Sequence, residues 1–247
     1  MKNTLTFDII TLFPDLFYSF LNESLIGKGI LEGELEIKLT DLREFGIGKY
    51  RQVDDEPYGG GPGMLFRPEP VVRAIETRKL FYESQGQQVH SILLTPQGKP
   101  FKQKKAEILS ICDKCLLFVC GRYEGFDERI REYVDEEISG GDFICLGGEV
   151  IAMVLIEAIS RLRGNILGNQ DSAEQETFTE NGLLEYPQYT RPIEFRGQHV
   201  PEVLLSGHHA RILKWRSQQA RQRTLQRRPD LLTKKDKGEN ARPDESG

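Results

Sequence analysis

Residues 116–125 read LLFVCGRYEG, an unbroken apolar run that leads into a turn marked by Gly121 and Gly125. A short apolar run bounded by a turn is typical of a strand that is buried on both faces, as in a parallel sheet. In open sheets of this kind, ligands bind at the carboxyl ends of the strands. The segment therefore predicts a buried strand that carries a glycine loop to a binding site.

Two further loops are rich in glycine. Residues 54–64 read DDEPYGGGPGM, and residues 140–149 read GGDFICLGGE. Glycine reaches backbone angles that other residues avoid and allows close approach to the main chain, whereas proline fixes its own φ. The loop at 54–64 is therefore expected to have a defined and unusual shape. Three such loops in one chain predict a site built from backbone groups.

Strand-like and helix-like segments alternate along the first two thirds of the chain. Strand patterns cover residues 5–12, 35–39, 89–95, 116–120 and, as a short piece, 144–146. Helical spacing covers residues 15–26, 68–84, 102–111, 126–136 and 149–162. This alternation predicts an α/β domain with a largely parallel sheet.

The composition changes after Gly164, so residues 1–164 are predicted to form the first domain. Residues 165–182 are polar and poor in large apolar side chains, which predicts an interdomain linker. A second domain is predicted over 183–230, irregular around its prolines and then helical and basic from 202 to 228. The remaining residues, 231–247, have the charged composition of a disordered tail.

Charge is distributed unevenly along the chain. The net charge is −5, yet no acid lies between Glu202 and Asp230, where seven arginines and lysines are interleaved with His208, His209 and Trp215. A basic and partly aromatic helix indicates nucleic-acid binding. A solvated surface helix is the alternative, and composition alone favours it. Trp215 is expected to pack the helix on the main domain rather than to stack on a base.

Several other classes of protein are disfavoured. No apolar run approaches the roughly 20 residues of a membrane span, and the N-terminus lacks a signal-peptide core, so a cytosolic protein is expected. P-loop and dinucleotide fingerprints are missing. Glycine loops without a phosphate-binding lysine favour a ligand such as an adenosine moiety held by main-chain groups.

The spacing of the four cysteines does not match that of a metal site. Cys112 and Cys115 have the separation of a zinc-binding pair, but no second pair and no nearby histidine complete the ligand set. These two residues, Cys120 and Cys145 are therefore expected to be buried thiols.

In their order and spacing, the motifs resemble those of the bacterial tRNA (guanine-37-N1)-methyltransferases, the TrmD family. The resemblance covers roughly residues 5–230 and rests on DD (54–55), PYGGGPGM (57–64), PQG (96–98), CGRYEG (120–125), DER (127–129), GD (141–142), GGE (147–149), YTRP (189–192), SGHH (206–209) and KWR (214–216). It implies an α/β domain with a deep trefoil knot of the SPOUT type, a linker and a small helical C-terminal domain. It also implies a homodimer whose sites are built from both chains.

The activity implied by the resemblance is methyl transfer from S-adenosylmethionine to N1 of guanosine 37, 3′ of the anticodon in tRNA, supported by magnesium. The S-adenosylmethionine pocket would be formed by Pro96, Gly121, Tyr123, Gly125, Gly140, Gly141, Asp142, Phe143, Ile144, Cys145, Leu146, Gly147 and Gly148. The tRNA contacts would be Asp171, Ser206, Gly207, His208, Lys214 and Arg216. For Tyr123 the alternative is core packing of the ring. Glu124 would lie near the sulfonium or a metal, or else be a solvated loop acid.

Catalysis requires a base for the N1 proton, and a carboxylate at hydrogen-bond distance suits this transfer. The family has an aspartate a few residues before Phe178, where this sequence has Glu176. The resemblance therefore implies Glu176 as the general base, with Asp171 as a second candidate that is more expected to cap a helix. Arg161, at another family position, would stabilise charge on guanine O6. Its alternative role is to interact with the terminal carbonyls of its own helix.

The change to Glu176 keeps open a different class of function, an RNA-binding relative that has retained the fold and lost catalysis. A methyltransferase with another nucleotide target is a third possibility, which the linker and C-terminal motifs disfavour.

Overall fold

The structure, a computed structural model, describes residues 4–163, 166, 177 and 182–232. The chain divides into two compact units, residues 1–168 and 169–247. The predicted linker and tail lie almost entirely outside the described residues. In the part of the chain that is described, no helix has both the length and the apolar character of a membrane span.

The N-terminal unit is built on a parallel sheet. Its strands are β1 (Leu5–Thr11), β2 (Leu35–Asp41), β3 (Asp54–Asp55), β4 (Leu65–Phe66), β5 (Val89–Pro100), β6 (Cys115–Cys120) and β7 (Glu136–Ser139). Five of them form the sheet in the order β2-β1-β6-β5-β7, and each neighbouring pair is parallel. The remaining two, β3 and β4, pair antiparallel. The predicted α/β class with a largely parallel sheet is confirmed.

Helices cover both faces of this sheet. They are α1 (Tyr18–Asn22), α2 (Ser24–Leu31), α3 (Pro68–Glu83), α4 (Gln103–Ser110) and α5 (Glu149–Ser160). Within β6, Leu116, Phe118 and Cys120 belong to the core shared with α2, α4 and α5, whereas Leu117 and Val119 belong to the core shared with α3. Alternate side chains point to opposite faces of a strand. The unbroken apolar run of β6 is thus explained by burial on both faces.

Three predicted elements differ in type or continuity from the structure. The helix expected at 15–26 is a 3₁₀ turn at Pro14–Phe17 followed by α1 and α2, which are separated at Glu23. The helix expected at 126–136 is a 3₁₀ helix, Glu128–Tyr133, and is followed by the unpredicted strand β7. No strand forms at 144–146. In each case the local pattern of apolar and polar residues did not determine the type of the element or its continuity.

The strand expected to stop at Pro96 continues to Pro100. The pairing of β5 with β7 shifts register between Leu94 and Lys99, so the strand bulges around the proline and resumes. A Cβ atom on Gly98 would lie 2.6 Å from the carbonyl carbon of Glu137. Glycine at this position therefore allows the strand to pass close to its neighbour.

The described part of the C-terminal unit, apart from Thr177, is residues 182–232, which contain a hairpin and two helices. A two-stranded hairpin, β8 (Glu194–Phe195) and β9 (Gln198–His199), is followed by a short helix, Glu202–Leu205. A longer helix, His209–Arg227, carries six of the nine arginines and lysines of residues 182–232 and is called the basic helix below. The predicted helical character of 202–228 is confirmed, with an interruption at Ser206–His208.

Candidate functional site

A cavity of 650 Å³ opens at the bulge of β5 and at the ends of β6 and β7. Its walls come from residues 94–97 of β5, residues 121–126 after β6, residues 138–140 at the end of β7, and residues 143–148 before α5. The volume lies within the range of small-molecule sites, and the position is the usual one in a parallel sheet. We call it the first cavity.

The loops after β6 and before α5 are joined through their backbones. Arg122 and Gly147 form an antiparallel bridge, and Gly148 N–H donates to the Gly121 carbonyl at 2.8 Å. A Cβ atom on Gly148 would lie 3.0 Å from Cys120 Cα, and one on Gly121 would lie 2.7 Å from the Phe126 ring. These glycines are therefore required for the two segments to approach so closely.

A buried charged pair lies beneath this crossing. Glu149, the first residue of α5, is only 1% exposed, and its carboxylate lies 3.0 Å from Arg122 Nε. The Thr11 hydroxyl donates to the same carboxylate at 2.9 Å, and the Arg122 guanidinium stacks 4.7 Å from the Phe13 ring centroid. A side chain at Gly147 would overlap both members of the pair. The pair thus fixes one wall of the first cavity.

The glycine-proline loop lies beside the same site. Gly59, Gly60, Gly61 and Gly63 all have positive φ, which confirms the unusual loop shape expected from the sequence. Just after the loop, Phe66 N–H donates to the carbonyl of Gly125 at 2.9 Å. The loop that leads into β4 is therefore tied to the wall of the first cavity.

Tyr123 combines strain, packing and polarity in the wall of the first cavity. Its φ is +57°, a left-handed conformation that costs energy for a residue with a side chain and is often found at functional sites. The ring packs edge-to-face on Phe66 at 5.7 Å but remains 54% exposed. Partial burial raises the pKa of the Tyr123 hydroxyl, and the charge and hydrogen bond of Asp54 raise it further. Tyr123 is thus available at the cavity and is not simply a core residue.

Comparison with known proteins gives one consistent answer. Residues 5–234 match the family described as tRNA (Guanine-1)-methyltransferase TrmD. The chain is 48% identical to the tRNA (guanine-N(1)-)-methyltransferase of Sorangium cellulosum, over 97% of both chains. Its identity to the protein of the same name from Syntrophotalea carbinolica is 51%, over 92% of this chain and 89% of the relative. The chain belongs to the TrmD family.

Eleven of the thirteen residues that the TrmD resemblance assigned to S-adenosylmethionine line the first cavity. They are Pro96, Gly121, Tyr123, Gly125, Gly140, Phe143, Ile144, Cys145, Leu146, Gly147 and Gly148. The other two, Gly141 and Asp142, do not line it. Gly141 makes a turn with φ +145°, against which the Phe143 ring packs, and Asp142 is exposed.

Sequence reasoning missed several side chains of the first cavity. Arg131 and Glu128 line it, and Arg131 donates to Gln97 Oε1 at 2.7 Å, to Glu128 at 2.8 Å, and is paired with Glu137. Gln97 had a signal, since it lies within the family motif at 96–98. Glu128 also had a signal, since it lies within the family motif at 127–129. Arg131 had none, because its segment was predicted as an α-helix and the 3₁₀ geometry directs its side chains differently.

The prediction that all four cysteines are buried is wrong for two of them. Cys115 and Cys120 are buried, and burial raises the pKa of the Cys115 thiol to about 12. Cys112 is half-buried, and Cys145 is exposed and lines the first cavity. Cys145 was assigned to a strand that does not form, so its burial was inferred from the wrong element. No group of three or more His, Cys, Asp or Glu side chains suited to a metal ion exists among the described residues.

Of the residues assigned to catalysis and tRNA, those that the structure describes are not among the residues that line the first cavity, and the others lie outside the described residues. Glu176 and Asp171 fall outside the described residues. Arg161 is half-buried directly after α5, and its N–H donates to the Glu157 carbonyl at 3.1 Å. In the C-terminal unit, the exposed residues are Ser206, Gly207, His208 and Lys214, whereas Arg216 is half-buried.

Proposed function

We propose that this chain transfers the methyl group of S-adenosylmethionine to N1 of guanosine 37, 3′ of the anticodon in tRNA. The observation that carries the proposal is the first cavity, because its lining unites residues from four separate segments that the family resemblance assigned to one ligand. The relatives' shared name, tRNA (guanine-N(1)-)-methyltransferase, supports the same activity.

The first cavity fits an adenosine moiety held by main-chain groups. Gly125 lines it with φ +112°, and a Cβ atom there would project into open space rather than into protein. Backbone on both sides of the crossing at Gly121 and Gly148 is thus accessible to a ligand. When bound, S-adenosylmethionine supplies the methyl group to N1 and leaves as S-adenosylhomocysteine. We further propose that magnesium supports turnover, since Glu124 brings a carboxylate to the cavity and Mg²⁺ binds through carboxylates.

The protein's own groups would handle the proton and the developing charge. We assign Glu176 as the base that accepts the N1 proton, with Asp171 as the second candidate. Arg161 would donate to guanine O6 and thereby orient the base. The glutamate side chain is one methylene longer than aspartate, so its reach differs while its chemistry is the same.

A homodimer with a deep trefoil knot in each chain is part of the proposal. Exposed apolar side chains on α5 and the preceding loop, among them Ile144, Leu146, Val150 and Val154, support a protein interface at this face. The backbone pairing between Gly121 and Gly148 supports the close chain crossing that a knot requires. A cytoplasmic location and tRNA binding by the C-terminal unit complete the proposal.

The test is methyl transfer from labelled S-adenosylmethionine to unmodified tRNA that carries guanosine 37, followed by nucleoside analysis. The wild type should form 1-methylguanosine at that position. Glu176→Ala should lower turnover about a hundredfold or more while leaving cofactor affinity intact, since general-base catalysis contributes factors of this size. Glu176→Asp and Asp171→Ala are the matched controls, and both should retain substantial turnover.

Three results would lead to other conclusions. Near-wild-type turnover of Glu176→Ala together with loss in Asp171→Ala would transfer the base to Asp171. A wild type that binds tRNA but forms no methylated product would identify an RNA-binding relative. Methylation of a different nucleotide would identify another methyltransferase.

A further inference from the structure

A second cavity, of 420 Å³, lies within the C-terminal unit. Its walls come from the irregular segment at 186–193, from the short helix Glu202–Leu205, and from Ile212 and Arg216 of the basic helix. The volume is near the lower limit of small-molecule sites. Such a space admits one nucleotide and is too small for a nucleic-acid duplex.

The second cavity has an apolar floor and an aromatic wall. Leu204 and Ile212 provide aliphatic surface, and Tyr186 and Tyr189 provide aromatic rings. The Arg216 guanidinium lies 4.6 Å from the Tyr186 ring centroid, which is a cation–π contact. Protein sites for unpaired nucleotides combine rings and guanidinium planes of this kind, on which bases stack.

Arg216 has no anionic partner among the described residues. Its Nε is buried without a hydrogen bond, and among the described residues its guanidinium makes neither a hydrogen bond nor an ion pair. By contrast, Arg228 on the same unit is held by two hydrogen bonds to Asp230. The described residues that line the cavity include two arginines and no acid. A half-buried cation with no partner is costly, so the site favours an anionic occupant.

We propose that the second cavity binds a single nucleotide of the RNA substrate, with the base against Tyr186 or Tyr189 and a phosphate at Arg216. The proposal rests on the proposed function, in that tRNA is the substrate. The surrounding charge favours RNA over a protein side chain, since residues 182–232 hold nine arginines and lysines and four acids in a chain of net charge −5. The site would position the tRNA independently of the first cavity.

The experiment uses the full chain, with unmodified tRNA carrying guanosine 37 as the probe. Arg216→Gln and Tyr186→Leu should each raise the KM for tRNA about tenfold, because base stacking and a desolvated phosphate contact have effects of this size. Both variants should keep wild-type affinity for S-adenosylmethionine. Tyr186→Phe, which keeps the ring, should stay within about twofold of the wild type.

A matched charge control is available on the same helix. Arg227 is exposed and does not line the cavity, so Arg227→Gln removes one positive charge without touching the site. Its effect on tRNA affinity should be small and should vanish at high salt, where surface electrostatics are screened. The defect of Arg216→Gln should persist at high salt, because a contact between partly buried charges is screened much less than one between exposed charges.

Photocrosslinking locates the contact even if a variant fails to fold. Wild-type protein irradiated with tRNA containing 4-thiouridine should give an adduct on Tyr186 or Tyr189. Unchanged KM values in both variants, or an absence of adducts at both tyrosines, would overturn the proposal. A change in oligomeric state with tRNA affinity intact would also overturn it, because the occupant would then be protein.

The failure of this proposal is distinct from failure of the proposed function. If the wild type forms no 1-methylguanosine but still crosslinks through Tyr186, the nucleotide site stands and the enzymatic assignment fails. If the wild type methylates tRNA while the variants behave like it, the enzymatic assignment stands and the nucleotide site fails.

Discussion

The two cavities differ in the groups that line them. The first is made largely of backbone, at glycine loops such as Gly121–Gly125 that follow parallel strands. The second is made of side chains that three separate segments contribute, with the Arg216–Tyr186 stack at its wall. Clustered glycines usually indicate a requirement of backbone geometry, so the loops of the first cavity could be predicted from the sequence. Tyrosine, arginine and leucine have many uses, so the second is visible only after folding.

Two arginines, Arg78 and Arg216, also differ, in whether acidic side chains surround them. Arg78 Nε donates to the fully buried Asp8 at 2.6 Å, and that carboxylate also accepts from the hydroxyls of Tyr82 at 3.1 Å and Thr40 at 2.9 Å. Burial raises the pKa of Tyr82, and the adjacent Asp8 charge raises it further. Arg78 is therefore part of a satisfied network, whereas Arg216 has no hydrogen bond or ion pair within the part of the chain that is described. We therefore expect Arg78 to contribute to stability and Arg216 to contribute to ligand binding.

The largest expected effect is that of Arg78→Met on stability. Removing one partner of a buried pair leaves Asp8 as an uncompensated charge, so the free energy of unfolding should fall by about 3 kcal/mol. Denaturant unfolding measures this change, and titration with S-adenosylmethionine should show unchanged affinity at a temperature where the variant is folded. Arg78→Lys, which keeps the charge, should lose less. If Arg78→Met lost cofactor affinity but kept its stability, Arg78 would belong to the binding site and not to the structural core.

A smaller effect is expected from Gly147→Ala. The new methyl group would overlap Arg122 Nε and Glu149 Oε2, which must shift and distort the wall of the first cavity. Affinity for S-adenosylmethionine should fall about tenfold, a cost typical of overpacking, while the KM for tRNA stays close to the wild-type value. The control is Gly33→Asn, because Gly33 has φ +71° and open space around its Cβ position. Equal cofactor affinity in the two variants would show that this wall is not built from close backbone contact.

The smallest effect concerns acid stability near the first cavity. Burial would raise the pKa of Glu136, but contacts with Lys105 at 2.5 Å and His90 at 3.1 Å outweigh it and hold the pKa below its ordinary value of 4.5. A carboxylate with a lowered folded-state pKa stabilises the fold above the unfolded pKa, and this contribution is lost as the pH falls through the folded pKa. The wild-type melting temperature should therefore fall more steeply below about pH 4.5 than that of Glu136→Gln, by about 2 °C.

Thermal melts between neutral and acidic pH check this expectation. Glu132→Gln is the control, because Glu132 is exposed and takes no part in the contacts of Glu136 with Lys105 and His90. Parallel curves for the wild type and Glu136→Gln would show that the Lys105 and His90 contacts contribute nothing. At neutral pH, the cofactor affinity of Glu136→Gln should equal that of the wild type, because Glu136 does not line the first cavity.

Local patterns predicted the apolar strands better than the short polar strand β7. β6 is central, and its apolar run was enough to identify it. β7 is at the edge and reads EEIS, a short polar sequence whose strand conformation depends on pairing with β5. The same limit explains the 3₁₀ helix at Glu128–Tyr133, since helical spacing does not distinguish it from an α-helix.

The sequence by itself determined the class of the fold, the positions of the glycine loops, the basic character of the C-terminal helix and, through its motifs, the family. These depend on residues close together in the chain, where burial period, φ restrictions and charge density act directly. Only the tertiary structure decided that Gly148 meets Gly121, that Glu149 lies beneath Arg122, and that Arg216 stacks on Tyr186. Each of these contacts joins residues more than twenty positions apart, so its energy arises only once packing has brought the segments together.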